Sequence, residues 1–190
     1  MSNNSVVKNN NTRMLTEAGL CIAMSIVLSY IKIPIGAEFG GFGGSVDLVM
    51  VPLVFFALKW GAKWGCIAGL VFGTLKYFLA SGFAVNMISI FFDYSIAYAA
   101  VGLAGLFSVS SSAPTISRSA IAALVGCLAR FVIHFISGVT VYAEYMPEEF
   151  TSPFIYSLFY NGTYMLPNTI LCVLVMVLIT NPLKQLFLSK

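Results

Sequence analysis

Apolar residues along this chain gather into six runs separated by short polar joints. The runs are Leu15 to Ile33, Val46 to Leu58, Ala62 to Ser81, Val85 to Phe107, Ser117 to Val141 and Pro153 to Thr180. A helix needs roughly 20 mostly apolar residues to cross a bilayer, and fewer where neighbours shelter it. The second run is short by that measure. The pattern predicts an all-α integral membrane protein with six transmembrane helices. Residues 1–13 are polar and Asn-rich. They lack the apolar core of a signal peptide and read as a disordered tail. Residues 14–190 read as a single membrane domain.

Composition strengthens this picture. The chain is 59% hydrophobic and only 9% charged, whereas a soluble domain is about a quarter charged. The net charge of +3 does not imply a nucleic-acid partner, because the basic residues flank apolar runs. Six spans put both termini on one side. That side then holds Lys8, Arg13, Lys59, Lys63, Arg118, Lys184 and Lys190. The other side holds Lys32 with Glu38, Asp47, Glu144, Glu148 and Glu149. The basic excess marks the cytoplasmic face, so both termini are expected there. The Gly-rich joint IPIGAEFGGFGGS and the acidic joint AEYMPEEFTSP then face outward. Cys21, Cys66, Cys127 and Cys172 fall in four different runs with no CxxC pair. They read as packing residues rather than a disulfide framework or a metal site.

Polar groups inside spans mark function by default. Here they are Lys76, Asp93, Arg130 and His134, with Tyr94, Tyr156 and Asn161. At the helical rise, Asp93 and Asn161 each lie about 12 Å below the outer surface, His134 about 10 Å and Lys76 about 8 Å. Four spans thus place polar groups in one layer, which points to an outward-opening pocket with apolar walls. Arg130, His134 and Gly138 are spaced four apart and share a helix face. Arg130 sits near the midplane, about 16 Å deep, and reads as structural. Aromatic residues crowd the start of the last run: Phe150, Phe154, Tyr156, Phe159, Tyr160 and Tyr164. Their faces suit a flat heteroaromatic ligand or an organic cation.

Each of these residues also has a plainer reading. Asp93 could pair with Lys76 or Arg130, His134 could bridge two helices, and Lys76 could snorkel to the interface. Asn161 opens a glycosylation sequon, but inside a span. Gly19 and Ala23, with Ala18, give the first span a small-residue face, suited to packing in the bundle or to docking a partner. Trp60 and Trp64 flank a basic turn and read as interfacial anchors. The chain has no P-loop and no HExxH, so it does not hydrolyse nucleotides unaided. An intramembrane enzyme using His134 and Asp93 as acid and base is the remaining catalytic alternative.

The segments GGSVDLVMVPL, ALKWGAKWG, FFDYSIAYAAVGLAGLF, RFVIHFISGV, YAEYMPEEF and YSLFYNGTYMLP resemble the ThiT family. These are the thiamine-specific S components of energy-coupling factor (ECF) transporters in Gram-positive bacteria. The resemblance covers nearly all of the chain after the tail. It implies a six-helix S-component bundle in the plasma membrane. It implies high-affinity thiamine capture without a cofactor or resident metal. It also implies partnership with an EcfT-type transmembrane coupling subunit and two cytoplasmic ATPases. Carried over by position, the ligand contacts fall on Asp93, Tyr94, His134, Gly138, Tyr156 and Asn161, and the stacking aromatic falls on Tyr142. Gly19 and Ala23 become the docking face for the coupling subunit, and the first outer joint becomes a lid. An S component for another flat vitamin or precursor, such as hydroxymethylpyrimidine or riboflavin, is the nearest alternative.

Overall fold

The computed structural model describes residues 2–35, 43–80, 82–109 and 112–189, with backbone only for 2–9. Helix α1 runs Ser2–Tyr30. A two-residue hairpin follows, β1 (Ile33–Pro34) and β2 (Ser45–Val46), antiparallel with Ile33 opposite Val46. Then come α2 (Met50–Trp60) and α3 (Ala62–Leu79). Helix α4 spans Met87–Phe107, α5 Ile116–Thr140, α6 Pro153–Thr180 and α7 Lys184–Leu188. Helix α1 begins at Ser2, within the residues read as a tail. Extending a helix already nucleated by an apolar segment costs far less than starting one. Residues 36–42 of the Gly-rich joint lie outside the described residues.

Among the described residues, four helices are long and apolar enough to cross a membrane: Asn10–Tyr30, Met87–Phe107, Ile116–Thr140 and Pro153–Thr180. Their outer faces carry exposed Leu20, Met24, Val27, Leu128, Val132, Leu174 and Leu178. Such a surface belongs against hydrocarbon, where helices satisfy their own backbone groups. Helix α2 is shorter because it lies at the centre of the bundle. Val49, Met50, Leu53, Val54, Ala57 and Leu58 are all buried there, packed with Phe72, Tyr98, Val101, Ala122 and Cys127. The α2–α3 corner turns at Gly61, whose φ of +91° disfavours a side chain.

Helix starts follow local capping chemistry. Asn86 Oδ1 accepts from the Ser89 amide, and Ser89 Oγ accepts from the Asn86 amide, a capping box that launches α4. Thr115 caps α5 through the Arg118 amide. Pro153 opens α6, where its missing N–H is no loss. The helix continues through Pro167, as membrane helices allow.

One end of the bundle is closed by a charge cluster. Glu17 accepts from Lys59 Nζ at 2.7 Å, Trp60 Nε1 at 2.7 Å and Arg13 Nε at 3.0 Å. The Lys59 side chain is only 1% exposed, so this contact fastens α1 to the end of α2. The hairpin and the C-terminal half of α5 lie at the opposite end, and the site is there.

Candidate ligand-binding site

Helix α4 is irregular where the chemistry sits. Residues Phe91–Ile96 form a π turn that contains Asp93 and Tyr94. Single π turns inside helices recur at functional positions. The turn is accommodated by α3, where Gly73 faces it: a Cβ there would lie 2.2 Å from the Tyr94 carbonyl oxygen. Tyr94 reaches back to the preceding loop, accepting from the Phe83 amide at 2.7 Å and donating to the Phe83 carbonyl at 3.0 Å. That double contact brings Phe83 to the site.

Helices α5 and α6 pack closely against each other. Gly138 lets them approach, since a Cβ would fall 2.2 Å from Ser157 Oγ. Ser157 Oγ donates to the Phe135 carbonyl at 2.9 Å. Asn161 is held on every side. Its Nδ2 donates to the Ser157 carbonyl at 2.9 Å and lies 3.4 Å from the His134 carbonyl, while its Oδ1 accepts from Tyr164 at 2.6 Å. Only the second lone pair of that oxygen is left for a ligand.

The acid of α4 meets the imidazole of α5. Asp93 Oδ1 lies 3.3 Å from His134 Nδ1. With Nδ1–H donating to the carboxylate, Nε2 is the acceptor nitrogen of the neutral ring. Nε2 is buried with no hydrogen-bond partner among the described residues. Tyr142, just beyond α5, faces Ser89 and Asp93, and burial together with the Asp93 charge pushes its phenol up.

Along α6, Tyr156, Tyr160 and Tyr164 recur every fourth residue and form an aromatic ladder. Tyr156 stacks on Tyr160 at 5.7 Å and 17°, and Tyr160 meets Tyr164 at 5.7 Å and 66°. The Tyr160 hydroxyl donates to the Gly43 carbonyl, tying the hairpin segment to α6. Gly44 packs flat on the Tyr164 ring, where a Cβ would fall 2.6 Å from Cδ1.

These groups enclose a cleft with about 600 Å³ of empty space. All seven candidate ligand contacts line it: Asp93, Tyr94, His134, Gly138, Tyr142, Tyr156 and Asn161. Its walls also include Phe83, Ser157, Tyr160 and Tyr164. Asp93 pairs with His134 among the described residues rather than with Lys76 or Arg130. Lys76 and Arg130 line an adjoining cavity that shares Asp93, Tyr94 and His134 with the first. Lys76 lies 3.5 Å from the buried Asp47, so it turns inward rather than to the surface. Gly19 and Ala23 are exposed on α1, and nothing would meet a Cβ at Gly19 within 4 Å. Ala18 beside them packs against the cluster of Met14, Cys21, Phe56 and Ala68, so only part of the small-residue face is turned outward. No grouping of His, Cys, Asp and Glu among the described residues could hold a metal ion.

Residues 15–188 match the family model described as thiamine transporter protein, Thia_YuaJ. The chain belongs to this family. The thiamine transporter ThiT of Bacillus subtilis is 34% identical over 145 residues, 72% of this chain and 75% of that protein. The ThiT of Lacticaseibacillus paracasei is 27% identical over 188 residues, 93% and 91% of the two chains. Among solved structures, ThiT from Listeria monocytogenes superposes with a TM-score of 0.80 at 20% identity, covering 94% of this chain and 98% of that one. A structure described as the S component of a bacterial ECF transporter gives 0.60 at 18% identity, covering 95% and 99%. The all-α fold is thus shared with these solved structures. The chain is a multi-pass protein of the bacterial cell membrane.

Six lining residues were not among the candidate ligand contacts: Gly43, Gly44, Phe83, Ser157, Tyr160 and Tyr164. Tyr160 and Tyr164 had a usable signal, their fourfold spacing after Tyr156. Ser157 is one residue from Tyr156 and carried none. Phe83 is drawn in by Tyr94 from a loop, which no periodicity reports.

Proposed function

We propose that this protein is the thiamine-capturing S component of an ECF-type importer. The observation that carries the reading is the Asp93–His134 pair set under a tyrosine ladder in a membrane-embedded cleft. Thiamine combines a permanently cationic thiazolium, an aminopyrimidine edge and a hydroxyethyl tail. Asp93 supplies the charge that offsets the cation, and its location away from bulk water strengthens the attraction. Tyr142, Tyr156 and Tyr94 present ring faces and edges to the two heterocycles. His134 Nε2 accepts from the exocyclic amine, and Asn161 Oδ1 offers its second lone pair. Gly138 keeps the floor open. Membership in the thiamine transporter family supports the choice of thiamine over other flat cations.

The same reading sets the architecture and partners. All six apolar runs cross the bilayer, both termini face the cytoplasm, and residues 14–190 act as one domain. The cleft then opens outward. The exposed Gly19–Ala23 face docks a transmembrane coupling subunit, where small residues allow close helix approach. Two cytoplasmic ATPases on that subunit supply the energy, and this chain binds without catalysing.

Isothermal titration of the purified protein with thiamine, its pyrimidine half and riboflavin tests the reading. Saturable one-to-one binding of thiamine, with weaker binding of the neutral compounds, supports it. Preference for a neutral compound assigns the site to that ligand instead. Tryptophan fluorescence is a poor reporter, because Trp60 belongs to the Glu17 cluster at the other end.

A further inference from the structure

The proposed thiamine contacts leave two inward-facing cations unused. Arg130 of α5 is 6% exposed, and its Nε and Nη1 have no hydrogen-bond partner among the described residues. Its guanidinium lies over the Tyr98 ring, with Cζ 4.2 Å from the centroid. Lys76 of α3 approaches the same ring. Its Nζ is 2.6 Å from the Tyr98 hydroxyl and 3.5 Å from Asp47 Oδ2. Both cations line the second cavity, which holds about 760 Å³ of empty space and also includes Lys32. A buried guanidinium with open donors demands an acceptor.

Charge balance says what the acceptor is. In the empty protein Lys76 and Arg130 are matched by Asp47 and Asp93, with the His134 imidazole neutral. Thiamine adds a permanent positive charge and takes Asp93 as its counter-ion. Arg130, Lys76 and Asp47 then stand with one positive charge uncompensated, inside a bilayer. Lys32 at the cavity wall enlarges that excess, and a protonated His134 would enlarge it further.

We propose that the second cavity is an anion site, taking one small oxyanion of the phosphate class beside the bound cation, with Arg130 and Lys76 as donors. The guanidinium fork matches two oxygens of such an ion, and the ammonium acts as a point charge. Asp93 faces both cavities. Unpaired, it repels the anion; paired with thiamine, it no longer does. The two ligands therefore assist each other, and by linkage the assistance is reciprocal. The inference rests on the thiamine reading.

The test is a calorimetric thiamine titration of the full chain in detergent at constant ionic strength. Inorganic phosphate is varied, with the bulky sulfonate buffer HEPES as the balancing anion. One linked ion lowers the apparent Kd by up to tenfold for each tenfold rise in phosphate, over the range where the thiamine-bound protein holds the ion and the free protein does not. Lys76→Met removes the excess charge and with it the phosphate dependence. If that variant does not fold, the wild-type slope decides alone. Thiamine monophosphate separates the sources of the anion. A Kd for it that ignores inorganic phosphate places the ester in the cavity, and one that still falls leaves the cavity to the free ion. A thiamine Kd that is the same at every phosphate concentration overturns the anion site and leaves the thiamine site standing. No thiamine binding at any phosphate concentration overturns both.

Discussion

Substituting Gly73 by alanine should damage the site without touching any ligand. The added Cβ would sit 2.2 Å from the Tyr94 carbonyl, about 1.2 Å inside the 3.4 Å where ordinary contact begins. The clash is with backbone, so α4 must shift or the π turn must re-form. Overpacking of this kind costs about 1–3 kcal/mol of stability. The shift also moves Asp93 and Tyr94 away from His134 and Phe83. Weakening one charge-assisted contact by about 1.5–3 kcal/mol raises the thiamine Kd about 10- to 150-fold. Gly65→Ala is the control on the same α3 face. Its Cβ would lie 2.5 Å from Ala57 Cβ and 3.0 Å from the Gly102 carbonyl, near the other end of α4. It should cost similar stability while leaving the Kd within about twofold, as independent sites do. Calorimetry reads the Kd, and thermal unfolding in detergent reads stability. Equal loss of affinity in both variants would refute a specific role for the π turn. So would wild-type affinity in a destabilised Gly73→Ala.

Other consequences follow from the same geometry. Asp93→Asn should weaken thiamine binding at least about 30-fold, since it removes the counter-charge at a site with an effective dielectric near 20; calorimetry checks it. Gly138→Ala should separate α5 from α6 at Ser157, lowering Tm and thiamine affinity together, because the clash sits in the cleft wall. Glu17→Gln should destabilise by about 3 kcal/mol by leaving the buried Lys59 unpaired, with thiamine Kd unchanged in the folded fraction. Tyr142→Phe should retain most affinity while Tyr142→Ala loses it, if the ring face rather than the hydroxyl holds the ligand; paired titrations separate the two.

The apolar runs were legible because membrane helices announce themselves by length and composition. The shortness of the second run was legible too, though the burial of most of α2 was not. The level of Asp93, His134 and Asn161 could be computed from helical rise alone, and the structure brings these groups into one cleft. Depth arithmetic assumes a regular helix, so it missed the π turn that aims Asp93 and Tyr94. It also could not show that Lys76 turns toward Asp47, or that Arg130 rests on Tyr98, because both depend on which helices are neighbours. Phe83 was invisible for the same reason, being held by a hydroxyl eleven residues away.

The most direct test of the central claim is a titration of the purified wild-type chain with thiamine and, separately, with its neutral pyrimidine half. The account predicts saturable one-to-one binding of thiamine and much weaker binding of the pyrimidine, because only thiamine carries the cation that Asp93 is placed to meet. Equal affinity for the two, or no binding of thiamine, would contradict it.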